Sequence, residues 1–502
     1  MKNALKPAAI PALMFLGAIS IACFVGFRGT RIDTTYIQLL DIVELATNPL
    51  DSLLYLHSQP PLLNALLALM TKLGGLFGIG YATVATISFR LAGLAGAILF
   101  FILIRNMTRS TAQAALGLFV LLANPAYHVF GSQFFYPFIL QALFLALFFL
   151  IAKYVKEGGM ASLCLLILTI AAITNMRSLF HPVWAIGLCL FVISFRIWVS
   201  TGFDKETFAS EDAVPAMPRQ KEFHHYAIGL VALLLLLSIW PLKNHLIFGQ
   251  FTYSSLGGYN LAHHLPIAPV PTVREAVRGE SEEVNQFLTS FRPVSGGDSL
   301  RVLTDIKKTD GSLNWNHAAF LLSASTLKER AIQWRLDNPV EYMKMALVHY
   351  LIWTSPSAMH PYTQETTGPQ GAAYQGYARA YNILLCADMR GFIERLTPNL
   401  KFHETAHVRY LPVRYTFYGL VFFPLLIVSA LIFIALNLKK KRTLEAVVTA
   451  GIFCHLFAMV VVCLTDGQEG NRMSFSTFPA VIMMAGYCVN EALAVIRSKT
   501  GS

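Results

Sequence analysis

Apolar runs of about twenty residues recur along almost the whole chain, and they limit its fold more than any other feature. A helix needs roughly 20 apolar residues to cross a bilayer. About eleven segments come near that length: 8–27, 60–78, 83–104, 111–130, 135–153, 161–176, 182–199, 225–242, 415–438, 443–464 and 474–492. Hydrophobic residues make up 55% of the 502 and charged residues 13%, a balance that excludes an ordinary water-soluble globule. The expected fold is an all-α polytopic membrane protein. The first segment follows Lys2 and Lys6 and has no small-residue cleavage site before Arg28, so it reads as a retained span.

A net charge of +11 raises the question of nucleic acid. The basic residues are scattered through loops, however, with one dense run at Lys439-Lys440-Lys441-Arg442. That distribution is a topology signal and gives no footing for nucleic acid. Of seven cysteines only Cys386 lies outside the apolar segments, so the large polar region cannot close an internal disulfide. No Cys/His spacing suggests a metal.

Basic residues favour the cytoplasm. This rule places the N-terminus, Arg105/Arg109, Lys153/Lys156, the 200–224 loop, Lys439–Arg442 and the Arg497/Lys499 tail there. Residues 28–59 then lie outside, and segments 60–78 and 83–104 cannot both cross. Either 60–78, which starts with two prolines, holds Lys72 and ends Gly74-Gly75, re-enters or lies short, or the Arg105/Arg109 loop is on the other side. Three regions follow: an N-terminal transmembrane module at 1–244 with the outside loop 28–59, an extracytoplasmic domain at 245–413, and C-terminal transmembrane helices at 414–502. The middle region reads as mostly helical, at 280–291, 317–337, 339–353 and 374–396, with Asn338-Pro339 as a breaker. The 339–353 piece ends Tyr350-Leu351-Ile352-Trp353 and is a candidate to lie on the membrane.

Polar residues collect at the outside face. Asp33 is either a carboxylate half-desolvated by neighbouring helices and able to accept a proton, or a solvated loop aspartate. Asp41 and Glu44 compete for the same role, or simply wet the polar side of an amphipathic piece at 37–46. His57 and Gln59 precede Pro60-Pro61. Prolines remove backbone donors and fix where neighbours point, so the pair either orients a phosphate or sugar, or marks an ordinary helix start. Arg177, His181, Lys243 and Arg472 sit at the outside ends of different spans. Taken singly each is a snorkelling side chain, and together they could hold a phosphate.

These motifs come in a telling order: Asp33…Tyr36, then His57-Ser58-Gln59-Pro60-Pro61-Leu62, Arg177…His181-Pro182, and Trp240-Pro241-Leu242-Lys243-Asn244. Asn314-Trp315-Asn316-His317 and Glu469…Asn471-Arg472 follow. The pattern resembles the GT-C glycosyltransferases, the clan of protein O-mannosyltransferases and lipid A aminoarabinose transferases. The resemblance runs along nearly the whole chain, although each motif is short.

It implies a GT-C-like helix bundle in the cytoplasmic (inner) membrane that moves a sugar, on the extracytoplasmic face, from a polyprenyl-phosphate donor to a glycan, lipid or protein acceptor. Asp33 would be the general base. Arg177, Lys243 and Arg472 would hold the leaving phosphate, with His57, Gln59 and His181 beside them. Tyr36, Asn244, His317 and Glu469 are further members of the same motifs. Asp33 is followed by Thr34 instead of a second acid, which argues against a metal-dependent site. Two alternatives stay open: a lipid-linked sugar flippase or transporter, with charges deep in its spans, and a polysaccharide polymerase or ligase using a lipid diphosphate donor.

Overall fold

A computed structural model describes residues 2–24, 26–201, 219–262, 281–292, 300–354, 418–437, 443–465 and 470–500, with isolated positions at 265–294 and 374–381. The described residues are almost entirely helical. In the first half the helices are α1 (Lys2–Phe24), α2 (Ile42–Thr47), α3 (Pro49–Leu54), α4 (Leu62–Phe77), α5 (Tyr81–Thr108), α6 (Thr111–Leu122), α7 (Pro125–Gly131), α8 (Tyr136–Glu157), α9 (Met160–Met176), α10 (Pro182–Thr201) and α11 (Arg219–Phe248). An outer layer follows: α12 (Gly257–Ala262), α13 (Glu282–Leu288), α14 (Arg301–Thr304), α15 (Ala318–Asp337) and α16 (Pro339–Trp353). The bundle closes with α17 (Phe423–Asn437), entered through a π turn at Tyr418–Phe422, then α18 (Thr443–Thr465) and α19 (Gly470–Thr500).

Seven of these helices are long and apolar enough to cross a membrane, or eight if the bent pair α6–α7 counts as one span. The other three of the eleven expected apolar segments are shorter apolar helices: Ala9–Phe24 of α1, α4 and α9. Apolar length does not reveal how a segment is laid, and α4 shows why. At its start Asn64 accepts from the Leu40 N–H at 2.8 Å and donates to the Gln38 carbonyl at 3.0 Å. Just past its end, the first turns of α5 meet the same loop: Thr86 Oγ1 accepts from Thr30 N–H at 2.8 Å, and Arg90 donates to the Phe27 carbonyl at 3.1 Å. Both ends of α4 therefore lie at the face that carries residues 26–61, termed here the loop face. The helix lies along that face with Leu69, Leu76 and Phe77 exposed, and α5 alone runs across to Arg105 and Arg109.

Local signals set the breaks. Asn124 caps α7 by accepting from Ala126 N–H, Pro125 lacks an N–H to continue α6, and the two helices meet at 61°. Gly158, at φ +69°, ends α8, and Arg196 of α10 donates to the Val155 carbonyl there at 2.9 Å, placing a cation at the helix C-terminus. Large buried side chains of α5, α8, α9, α18 and α19 form one continuous core.

The outer layer is helical where it is described. Asn338 is the C-cap of α15 and the N-cap of α16, with Pro339 opening the latter. α16 does not lie flat on the surface. Its Tyr342 hydroxyl donates to the Leu464 carbonyl at 2.9 Å, His349 donates to the Cys463 carbonyl at 2.9 Å, and Trp353 donates to His455 at 3.3 Å. It thus runs down beside α18. Most of 374–396 lies outside the described residues, and residue 244, the expected end of the first module, falls inside α11.

Candidate functional site

The loop after α1 is fixed by two backbone bonds to the corner between α7 and α8. Arg31 N–H donates to the Ser132 carbonyl at 2.8 Å, and Phe134 N–H donates to the Arg31 carbonyl at 2.7 Å. Two residues on, Asp33 is half-buried and accepts from Thr35 twice, from the hydroxyl at 2.6 Å and the N–H at 3.0 Å. Lys308 pins this turn from the outer layer: its buried Nζ donates to the carbonyls of Thr34 and Tyr36 at 2.8 and 2.9 Å. Burial lowers the Lys308 pKa to about 8, against the pull of Asp310, Asp41 and Asp33.

Tyr36 leads to the cations. Its hydroxyl accepts from Arg472 Nη1 at 2.8 Å, and the Arg472 guanidinium lies 4.4 Å from the Phe135 ring centre and 5.2 Å from that of Tyr136. Arg177 lies 4.8 Å from the same Tyr136 ring. Tyr36, Arg177 and Arg472 are thus gathered round one aromatic corner, although they come from the first loop and the ends of α9 and α19, and Asp33 lies three residues before Tyr36 in that loop, its carbonyl accepting from the Tyr36 N–H at 3.2 Å. Aromatic faces suit guanidinium groups in partly dry surroundings.

From Arg177 and His181 a groove of about 580 Å³ opens between helices. Its walls are apolar, with Ile186 of α10, Leu234 and Leu237 of α11 and Val461 and Val462 of α18. Its rim is polar, with Ser254, Asn260 of α12 and Lys328 of α15. Among the described residues that line it, Arg177, His181 and Lys328 are the ionisable bases, and there is no Asp or Glu. Burial lowers the His181 pKa.

The remaining candidates form a second, separate junction. His57 is fully buried, with Nε2 2.9 Å from the Asn316 carbonyl and Nδ1 2.7 Å from the Ser255 hydroxyl. A carbonyl only accepts, so Nε2 carries the hydrogen and Nδ1 accepts from Ser255. Asn316 Oδ1 also accepts from the N–H groups of His57 and Ser58, and its Nδ2 donates to the Tyr55 carbonyl. Burial, and then the charge of Lys243, lower the His57 pKa to about 3. Lys243 donates to the Leu56 carbonyl and lies 3.7 Å from the Trp240 ring centre. Asn244 donates to the Thr252 carbonyl at 2.7 Å, and His317 caps α15 through Nδ1. Gln59 is buried in the same segment. Here both ring nitrogens of His57 are engaged within the chain, and neither His57 nor Lys243 lines the groove.

Asp41 and Glu44 do more than wet a helix face. Asp41 caps α2 and accepts from the Thr309 N–H and hydroxyl at 2.6 and 2.9 Å, while Glu44 pairs with Arg301 at 3.1 Å. Both clasp the outer layer. Glu469 lies outside the described residues. Among the described residues no group of three His, Cys, Asp or Glu is placed to hold a metal.

No family model, curated protein or solved structure matches this chain. Its chemistry has to be read from its own geometry. Several residues in that geometry carry little sequence signal. Lys308 sits in Lys307-Lys308-Thr309-Asp310-Gly311, which reads as a solvated turn, and Lys328 is one of several charges on an amphipathic helix. Tyr136 belongs to an aromatic stretch, Gln133-Phe134-Phe135-Tyr136-Pro137, that is conspicuous as a corner but gives no hint of its two arginines.

Proposed function

We propose that this protein is a membrane glycosyltransferase of the GT-C type, which moves a sugar from a polyprenyl-phosphate donor to an acceptor hydroxyl at the loop face. The observation that carries the reading is the amphipathic groove: apolar walls between α10, α11 and α18 suit an isoprenoid tail, and a basic rim free of carboxylates suits its phosphate. Arg177 belongs both to that groove and to the aromatic corner near Asp33, so the donor headgroup and the acid share a neighbourhood.

In this mechanism the acceptor oxygen attacks the anomeric carbon while Asp33 takes its proton. The bond from the anomeric carbon to the phosphate oxygen breaks, and Arg177 and Arg472 meet the charge left on the phosphate. A phosphate is already a good leaving group, so charge stabilisation suffices without a general acid. Lys308 holds the Asp33 turn, and Thr35 holds the carboxylate. His57 and Lys243 act one layer out, keeping the 55–59 segment in place.

The test is release of free polyprenyl phosphate from a panel of polyprenyl-phosphate sugars, with purified protein and envelope extract as the source of acceptor. One donor should be turned over. Asp33→Asn should then lose on the order of 10² or more in rate, and Arg177→Gln should lower kcat as well as raise the donor KM. Equal turnover by a folded Asp33→Asn protein removes Asp33 as the base. Failure to release from any donor favours a diphosphate donor or a transporter.

A further inference from the structure

We propose that the elbow formed by the end of α15 and by α16 is inserted into the bilayer, with its apolar edge against lipid. This rests on the packing of α16 and holds whatever reaction the groove serves. Ile332 and Leu336 are four residues apart on α15, and Val340, Met343 and Leu347 follow at helical spacing on α16. Their exposures run from 43% to 70%. Three large apolar side chains in a stripe on α16, with two more on one face of α15 just before the break, are costly against water and suited to an apolar partner.

The depth of the stripe is set by the opposite face of α16. That face bonds to Leu464, Cys463 and His455 of α18, inside the span Thr443–Thr465. Ten residues of helix cover about 15 Å, so α16 occupies roughly the outer half of a hydrocarbon core. Whatever touches Met343 and Leu347 lies at that depth. Lipid is the occupant because α16 is bonded along α18, a helix long and apolar enough to cross the membrane, which itself keeps Val460 and Leu464 exposed beside the carbonyl that holds Tyr342. At the N-terminal turn of α16, Glu341 and Lys344 pair at 2.7 Å and are each nearly half exposed, which marks the level of the head groups.

The elbow also explains how an outer-layer lysine reaches a membrane groove. Lys328 lies one helical turn before Ile332 and on the groove rim. Anchoring the stripe in lipid holds that turn of α15 at bilayer level.

A photoreactive benzoyl-phenylalanine placed at Leu336 and, separately, at Met343 tests this in phospholipid nanodiscs. Glu282 on α13, exposed in the outer layer away from the elbow, serves as the water-facing control and Leu235 on α11 as the lipid-facing one, being 63% exposed within a span. After irradiation, peptide mass mapping should find phospholipid adducts at 336, 343 and 235 and none at 282. Cross-links from 336 or 343 to protein, whether to a second copy or to residues 355–417 of the same chain, overturn the proposal. So does any loss of lipid adducts at either elbow site while 235 still labels. The substitutions replace exposed side chains, and unchanged melting in detergent confirms that each variant is folded.

Discussion

A histidine in front of two prolines at a membrane face suggests a ligand site, and the hydrogen bonds round His57 assign it a different task. Both ring nitrogens and the backbone N–H are committed to Ser255 and Asn316, which joins three segments far apart in sequence. This has a pH signature. Folded His57 takes a proton only near pH 3, because of burial and then Lys243, whereas the unfolded chain takes it near 6.5. A depressed folded pKa means that the unfolded state binds the extra proton between those values, so the contribution of His57 is complete above pH 6.5 and is lost as pH falls toward 3. His57→Gln should melt lower than wild type at pH 7.5, with the gap narrowing by pH 4.5. A gap that stays constant with pH would show that His57 does not titrate on unfolding. In the sequence, this residue was legible as special but not as structural, since its partners lie about two hundred and about two hundred and sixty positions away. Asp33 was legible as an acid near the face. Its holder Lys308 was not, because nothing local distinguishes a lysine that folds back onto a distant loop from one in water.

Helices announce themselves by their ends, so the element scale was the most legible. The expected 317–337 and 339–353 correspond to α15 and α16 within a residue, because His317, Asn338 and Pro339 are local cap and breaker signals. What elements touch is written less locally. Gly258 of α12 meets α15 so closely that a Cβ there would stand 2.0 Å from the Ala324 carbonyl oxygen. That oxygen belongs to backbone and cannot swing away, and Arg335 ties the same two helices by donating to the Leu261 carbonyl at 2.6 Å. Gly258→Ala should therefore cost about 1–3 kcal/mol of stability, read as a lower melting temperature in detergent. It should also weaken donor binding, because α12 and α15 supply Asn260 and Lys328 to the groove rim. Gly257→Ala, one residue away with nothing within 4 Å of its added Cβ, serves as the control and should melt like wild type. Equal melting of the two variants would mean that α12 and α15 are not in that contact.

The whole molecule depends on how one apolar segment is laid, which hydropathy alone could not tell. α4 is 16 residues long, about 24 Å at 1.5 Å per residue, and could nearly span the hydrocarbon. Its hydrogen-bonded surroundings hold both ends at the loop face instead, and Lys72 is exposed near its middle, as suits a helix in the interface. The consequence reaches every later helix: were α4 to cross, α5 to α11 would all reverse direction. Arg177 and the groove rim would then lie on the face opposite Asp33, although Tyr136 touches Arg177 and Arg472, and Arg472 touches Tyr36. Single cysteines at Thr35, Ile79 and Asn106, each at an exposed position, can be labelled with a membrane-impermeant maleimide from one side of sealed vesicles. Signal is read over the wild-type background, since Cys164 is itself exposed. Thr35→Cys and Ile79→Cys should label from the same side and Asn106→Cys from the other. If Thr35→Cys and Asn106→Cys label from one side and Ile79→Cys from the other, α4 crosses, the aromatic corner cannot form as described, and the gathering of Tyr36, Arg177 and Arg472 beside the Asp33 loop, on which the proposed chemistry depends, falls with it.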